Sequence, residues 1–79
     1  MEQQEIFVLI RQNLVEVVGD VDPAAVTMDR SLAELGCNSV DRAEVVTMTM
    51  QDMGIRVPVM EFQDAGSIGS LVGLFARHA

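Results

Sequence analysis

Leu35-Gly36-Cys37-Asn38-Ser39-Val40-Asp41-Arg42-Ala43-Glu44 stands at the middle of the chain, between a polar segment and one with apolar residues at helical spacing. Gly36 permits a tight turn, because a residue without Cβ adopts dihedrals that others avoid. Asn38 or Ser39 can cap the following helix by accepting a backbone N–H. Asp41 and Glu44 fall one turn apart on that helix. The stretch reads as a loop-to-helix junction with Ser39 at its start, and the flanking segments decide what it serves.

Downstream, helical spacing runs from Ser39 to Met53. Val45, Val46, Thr49 and Met53 form one inward stripe. Val40, Ala43, Thr47 and Met50 recur along another side, which is either a wider buried face or a docking surface rimmed by Asp41 and Glu44. Gly54 ends the helix. Ile55-Arg56-Val57-Pro58-Val59 reads as an extended loop anchored by its apolar residues, since Pro58 disfavours helix at Val57. Met60 to Asp64 predicts a short third helix, which Ala65-Gly66 breaks. Ser67 then caps a last helix, Ile68 to Arg77, with Ile68, Leu71, Val72 and Phe75 on one face. Arg77 and His78 suit the negative end of that helix. The methionines gather mainly between 48 and 60, where core packing is the default reading.

Upstream, Ile6, Ile10, Leu14, Val17 and Val18 recur at three- and four-residue steps and predict a helix over 3–18. Gly19 stops it, and Pro23 opens a short turn through Ala24-Ala25-Val26. Residues 27–38 form a long connection, with Val26, Met28, Leu32 and Leu35 turned inward to pin it. The expectation is an all-α bundle of three to four small helices, with a long loop between helices 1 and 2 and no obvious deep pocket. Residues 1–79 read as one domain.

Composition narrows the function. Seventy-nine residues lie near the lower limit for a core without staples. The single cysteine, Cys37, excludes an internal disulfide and fits a reducing compartment. No signal-peptide pattern is visible, and the longest apolar run, Ile6 to Ile10, is too short to span a bilayer. The net charge is −7, and all five cations are Arg. Such a domain repels nucleic acid and anionic membranes and attracts basic protein surfaces. Catalysis is a poor fit: the one His is His78, next to the C-terminus, and there is no Lys or Tyr. Ser39 and Cys37 have no His within local reach, and Asp41 stands where a nucleophile elbow needs glycine. Cys37 reads either as a thiol with lowered pKa at a helix start or as a small buried residue. Asp20, Asp22 and Asp29 lack the glycine and closing Glu of a calcium loop, so no metal site is expected. An attached prosthetic group fits better, because a serine at a helix start is exposed and the first-turn N–H groups favour a phosphate there.

The chain resembles the acyl carrier proteins. The resemblance rests on the order helix–long loop–helix–short helix–helix, on Ser31-Leu32-Ala33-Glu34-Leu35-Gly36 leading into Asn38-Ser39-Val40, on Asp41 and Glu44, on Val57-Pro58 and on Ser67-Ile68. It implies that Ser39 carries 4′-phosphopantetheine, placed there from coenzyme A by a magnesium-using phosphopantetheinyl transferase. It further implies a non-catalytic, monomeric, cytoplasmic carrier whose acyl cargo rides as a thioester. Asn38, Val40, Asp41, Arg42, Ala43, Glu44 and Thr47 become the partner-docking residues. Family members usually have Asp where this chain has Asn38, and many fatty-acid carriers have acids at the positions of Met50 and Gln51. The run through Thr47-Met48-Thr49-Met50 is similar to stand-alone donor carriers of bacterial polyketide β-branching cassettes. Their partners are an acyltransferase that loads malonyl, a decarboxylating ketosynthase-like protein, and an enzyme resembling HMG-CoA synthase. The alternatives are a general fatty-acid or polyketide carrier, an aminoacyl carrier, or an unmodified helical interaction module.

Overall fold

Three apolar residues at helical spacing, Ile6, Ile10 and Leu14, are fully buried along one side of α1 (Gln3–Val18) and build the centre of the molecule. The computed structural model describes residues 1–79, except the side chains of Val59 and Asp64. α1 packs against both α2 (Ser39–Met53) and α3 (Ile68–His78), so the other helices are hung on it. Two short 3-10 segments, Pro23–Ala25 and Val59–Asp64, interrupt the connections. No strand occurs among the described residues. The architecture is the expected all-α bundle. No helix is long and apolar enough to cross a membrane.

Local chemistry fixes the helix ends. Gly54 adopts φ +67°, and its N–H and that of Ile55 return to the carbonyls of Gln51 and Met50 at 3.2 and 3.1 Å. This closure satisfies carbonyls that a helix otherwise leaves bare. Ser67 caps α3 by accepting the Ser70 N–H at 3.1 Å. The next two donors of α3 are met from the long loop. Ile68 N–H donates to the Arg30 carbonyl and Gly69 N–H to the Met28 carbonyl, both at 2.8 Å. Three of the four orphan N–H groups at this terminus thus find protein partners.

The same strap corrects one expectation. Val26, Leu32 and Leu35 are buried as predicted, but Met28 is 39% exposed. Its carbonyl is committed to Gly69, where even an added Cβ would come within 3.1 Å of that oxygen. The strap meets α3 through its backbone at this point, and the Met28 side chain is left partly exposed. On α3 the buried face is wider than predicted, since Leu74 joins Ile68, Leu71, Val72 and Phe75, and the helix extends one residue further, to His78. Val57 is buried and Ile55 half-buried, as an anchored loop requires, whereas the expectation for the Val59 side chain lies outside the described residues.

A polar link crosses the α1–α2 interface. Buried Asn13 donates from its amide to Thr49 Oγ1 and to Asp52 Oδ2, each at 3.0 Å, and Thr49 donates onward to the Val45 carbonyl at 2.8 Å. Nothing local marks Asn13 as inward-facing, because its partners lie 36 and 39 residues away. Burying these groups is tolerable only because each is paired. Asn13→Ala should therefore lower the unfolding free energy by about 1–3 kcal/mol in a urea titration. The exposed neighbour change Gln12→Ala should cost under about 0.5 kcal/mol.

Candidate functional site

Two reciprocal caps in succession deliver the chain to Ser39. In the first, Ser31 N–H donates to Glu34 Oε1 at 2.9 Å and Glu34 N–H donates to Ser31 Oγ at 3.1 Å. Leu35, Gly36 and Cys37 then fold back on this turn, with the Gly36 N–H on the Ala33 carbonyl and the Cys37 N–H on that of Leu32, both at 3.1 Å. Gly36 makes the reversal at φ +99°, where a side chain would be strained. In the second cap, Asp41 N–H donates to Asn38 Oδ1 at 2.8 Å and Asn38 N–H donates to Asp41 Oδ2 at 3.2 Å. This is a capping box with Asn and Asp in its two places.

The sequence left two capping residues open, and the geometry selects Asn38. Ser39 is the first residue inside α2. It is exposed, and no described group hydrogen-bonds its hydroxyl. Val40 beside it is 72% exposed, a large apolar side chain in water. Arg42, Ala43, Glu44 and Thr47 are exposed as well, and only Met50 from that stripe packs on the core. The reading of Val40, Ala43, Thr47 and Met50 as a wider buried face is thereby corrected: α1 already covers the opposite side of α2. Asp41 is half-buried and bound into the cap, so it holds the helix start as well as contributing charge.

Cys37 is 6% exposed. Burial first, and the Asp41 carboxylate second, push its thiol pKa up, while Arg42 pulls the other way. Of the two readings of this residue, the small buried one holds, because the side chain turns into the core before it can meet the helix terminus. His78 lies 3.2 Å from Glu61 on the second 3-10 segment. No group of three or more metal-ligating side chains gathers among the described residues.

The sequence pointed to no obvious deep pocket, and the structure adds an open groove of about 650 Å³ beside α2. Arg42, Ala43, Val46 and Met50 form one wall, and Phe62 and Leu71 belong to the other. Phe62 is held by a tilted contact with Phe75, ring centroids 5.7 Å apart. Small residues explain the gap: Ala43 on one side faces Ala65, Gly66 and Ser67 on the other. The two sides are far apart in sequence. The assembled site offers a free hydroxyl at the positive end of a helix, an exposed apolar neighbour and an adjacent groove. It suits an anionic ester on Ser39, and nothing in it arranges a proton transfer.

The comparisons with known proteins agree in kind. The family model described as "Phosphopantetheine attachment site" matches residues 9–75. The polyketide biosynthesis acyl-carrier-protein AcpK of Bacillus subtilis (strain 168) is 37% identical over 71 residues, covering 90% of this chain and 87% of that protein. A chain in the crystal structure of the curacin biosynthetic pathway HMG synthase in complex with acetyl donor-ACP superposes with a TM-score of 0.88. That match has 31% identity and covers 98% of this chain and 99% of the other.

The division of labour between Asn38 and Ser39 is testable by thermal or urea unfolding. Asn38→Ala should cost about 0.5–2 kcal/mol through loss of the cap. Ser39→Ala should change stability by less than about 0.5 kcal/mol, because its hydroxyl holds nothing.

Proposed function

The chain belongs to the phosphopantetheine-attachment family, that of the acyl carrier proteins, and from this premise we propose that it is an acetyl donor carrier for β-branching in polyketide biosynthesis, modified at Ser39. Its prosthetic group is covalent 4′-phosphopantetheine, and the chain is a non-catalytic carrier. The observation that carries the attachment reading is the exposed, unbonded Ser39 hydroxyl at the first turn of α2. The donor reading is supported by the likeness to a chain in a complex of an HMG synthase with an acetyl donor carrier. The polyketide setting is supported by the Bacillus relative.

Each residue near Ser39 has a role in this reading. Asn38 and Asp41 hold the turn rigid, so the serine is presented at a fixed place. The free first-turn N–H groups of α2 favour a phosphate diester on that oxygen. When attached, the group supplies the terminal thiol on which an acyl unit rides as a thioester. Val40 gives partner enzymes an apolar contact, and Glu44 with Asp41 gives them a negative rim that steers basic surfaces. Arg42, Ala43 and Thr47 complete the docking face. The partners are a phosphopantetheinyl transferase, an acyltransferase, a decarboxylating ketosynthase-like protein and an HMG-CoA-synthase-like enzyme. The carrier works as a monomer in the cytoplasm.

Intact mass spectrometry tests the attachment. Incubation with coenzyme A, magnesium and a broad-specificity phosphopantetheinyl transferase should add one phosphopantetheine to the parent and none to Ser39→Ala. An unchanged parent mass would refute the carrier at this residue. The acetylated holo protein should then be consumed by an HMG-synthase-type enzyme and refused by an ordinary elongating ketosynthase; the reverse preference would sink the donor role.

Glu44→Lys should slow association with that synthase by up to about tenfold at low salt, with the difference shrinking as salt is raised. Stopped-flow fluorescence measures it, and a rate equal to the parent's at low salt would remove Glu44 from the docking face.

A further inference from the structure

We propose that Arg42 binds the phosphodiester of the arm on Ser39 and turns the arm toward the groove beside α2, an inference that rests on Ser39 being the attachment point. Arg42 follows Ser39 by three residues on α2. Side chains at that spacing are neighbours, with Cβ atoms about 5–6 Å apart. Helical side chains also lean toward the N-terminus, so from this position a guanidinium can reach the turn that carries Ser39. A separate observation agrees. The charge of Arg42 is felt at the Cys37 thiol, two residues ahead of Ser39.

The guanidinium is also uncommitted. The chain holds twelve acids against five cations, yet no described carboxylate pairs with Arg42. The positions at helical pairing distance from it are Asn38, Ser39, Val45 and Val46, none of them acidic. The ion pair among the described residues is His78 with Glu61, and neither touches this turn. A planar, permanently charged fork matches two phosphate oxygens at once. Arg42 is at the same time part of the groove wall with Ala43, Val46 and Met50. A phosphate held by this side chain is therefore held on the groove side of α2. The rest of the docking face is neutral or acidic, which leaves Arg42 as its one cation. It offsets the charge that modification adds next to Asp41 and Glu44.

The test compares apo and holo forms of the intact protein by NMR. The Arg42 Nε–Hε resonance should move on conversion to the holo form, while those of Arg30, Arg56 and Arg77 stay in place. Phosphorus-31 relaxation should report a more restrained phosphodiester in the parent than in Arg42→Gln, with Arg42→Lys between them. The pair is solvent-exposed, so its loss should shift the held-to-free ratio of the arm by about 1.5- to 5-fold. Salt at about 1 M, where the Debye length is about 3 Å, should bring the parent close to Arg42→Gln. A holo protein whose Arg42 resonance is unmoved, or whose phosphorus relaxation is the same in parent and Arg42→Gln, overturns the inference and leaves the attachment intact. Failure of the parent to take up the arm at Ser39 overturns both.

Discussion

The site depends on two backbone hydrogen bonds that tie the long loop to the first turn of α3. Met28 and Arg30 give their carbonyls to Gly69 and Ile68. Each bond serves both ends: it satisfies an orphan donor of α3 and stops the loop from lifting off the bundle. With the loop pinned there, Leu32 and Leu35 are committed to the core, and the reversal at Gly36 sets the angle at which α2 begins. Ser39 is thus placed by contacts that span about half the chain. An exposed residue at the start of α2 obtains a fixed address from a helix it does not belong to.

At the junction itself, the chemistry separates structure from function. A serine used as a helix cap gives its oxygen to a backbone N–H and is then engaged. Here Asn38 takes that task, and Asp41 returns a bond to it. The oxygen of Ser39, one residue on, is left for chemistry. The exposed face of α2 follows the same logic. The polar link through Asn13 and Thr49 fixes the inner side of the helix against α1, so the outer side can be shaped for partners without endangering the core.

Helix limits were legible in the sequence because their signals are local. Gly19, Gly54 and Ser67 stand where the helices end or start, and the apolar periodicity of α1 chose its buried face correctly. Features that need two distant segments were not legible. Met28 looked like a core residue until the strap claimed its backbone. Asn13 carries no local sign of its burial, since Thr49 and Asp52 are on another helix. The groove arises where small residues of α2 face small residues just before α3, a coincidence no window of sequence displays. Ser39 was picked out by its neighbours in the chain, but the choice between Asn38 and Ser39 as cap required the actual dihedrals and bonds.

Met50 binds the groove to the loop that follows α2. Its thioether accepts the Val57 N–H at 3.3 Å, and the same residue lines the groove wall. A sulfur in this position makes the wall sensitive to oxidants. Conversion to the sulfoxide would put an S=O dipole on a surface that is now mostly apolar, and would offer the Val57 amide a harder acceptor. The groove side of α2 would change its chemistry while the loop kept an anchor. Peroxide damage here would leave a folded protein with an altered groove, and enzymatic reduction of the sulfoxide would restore it.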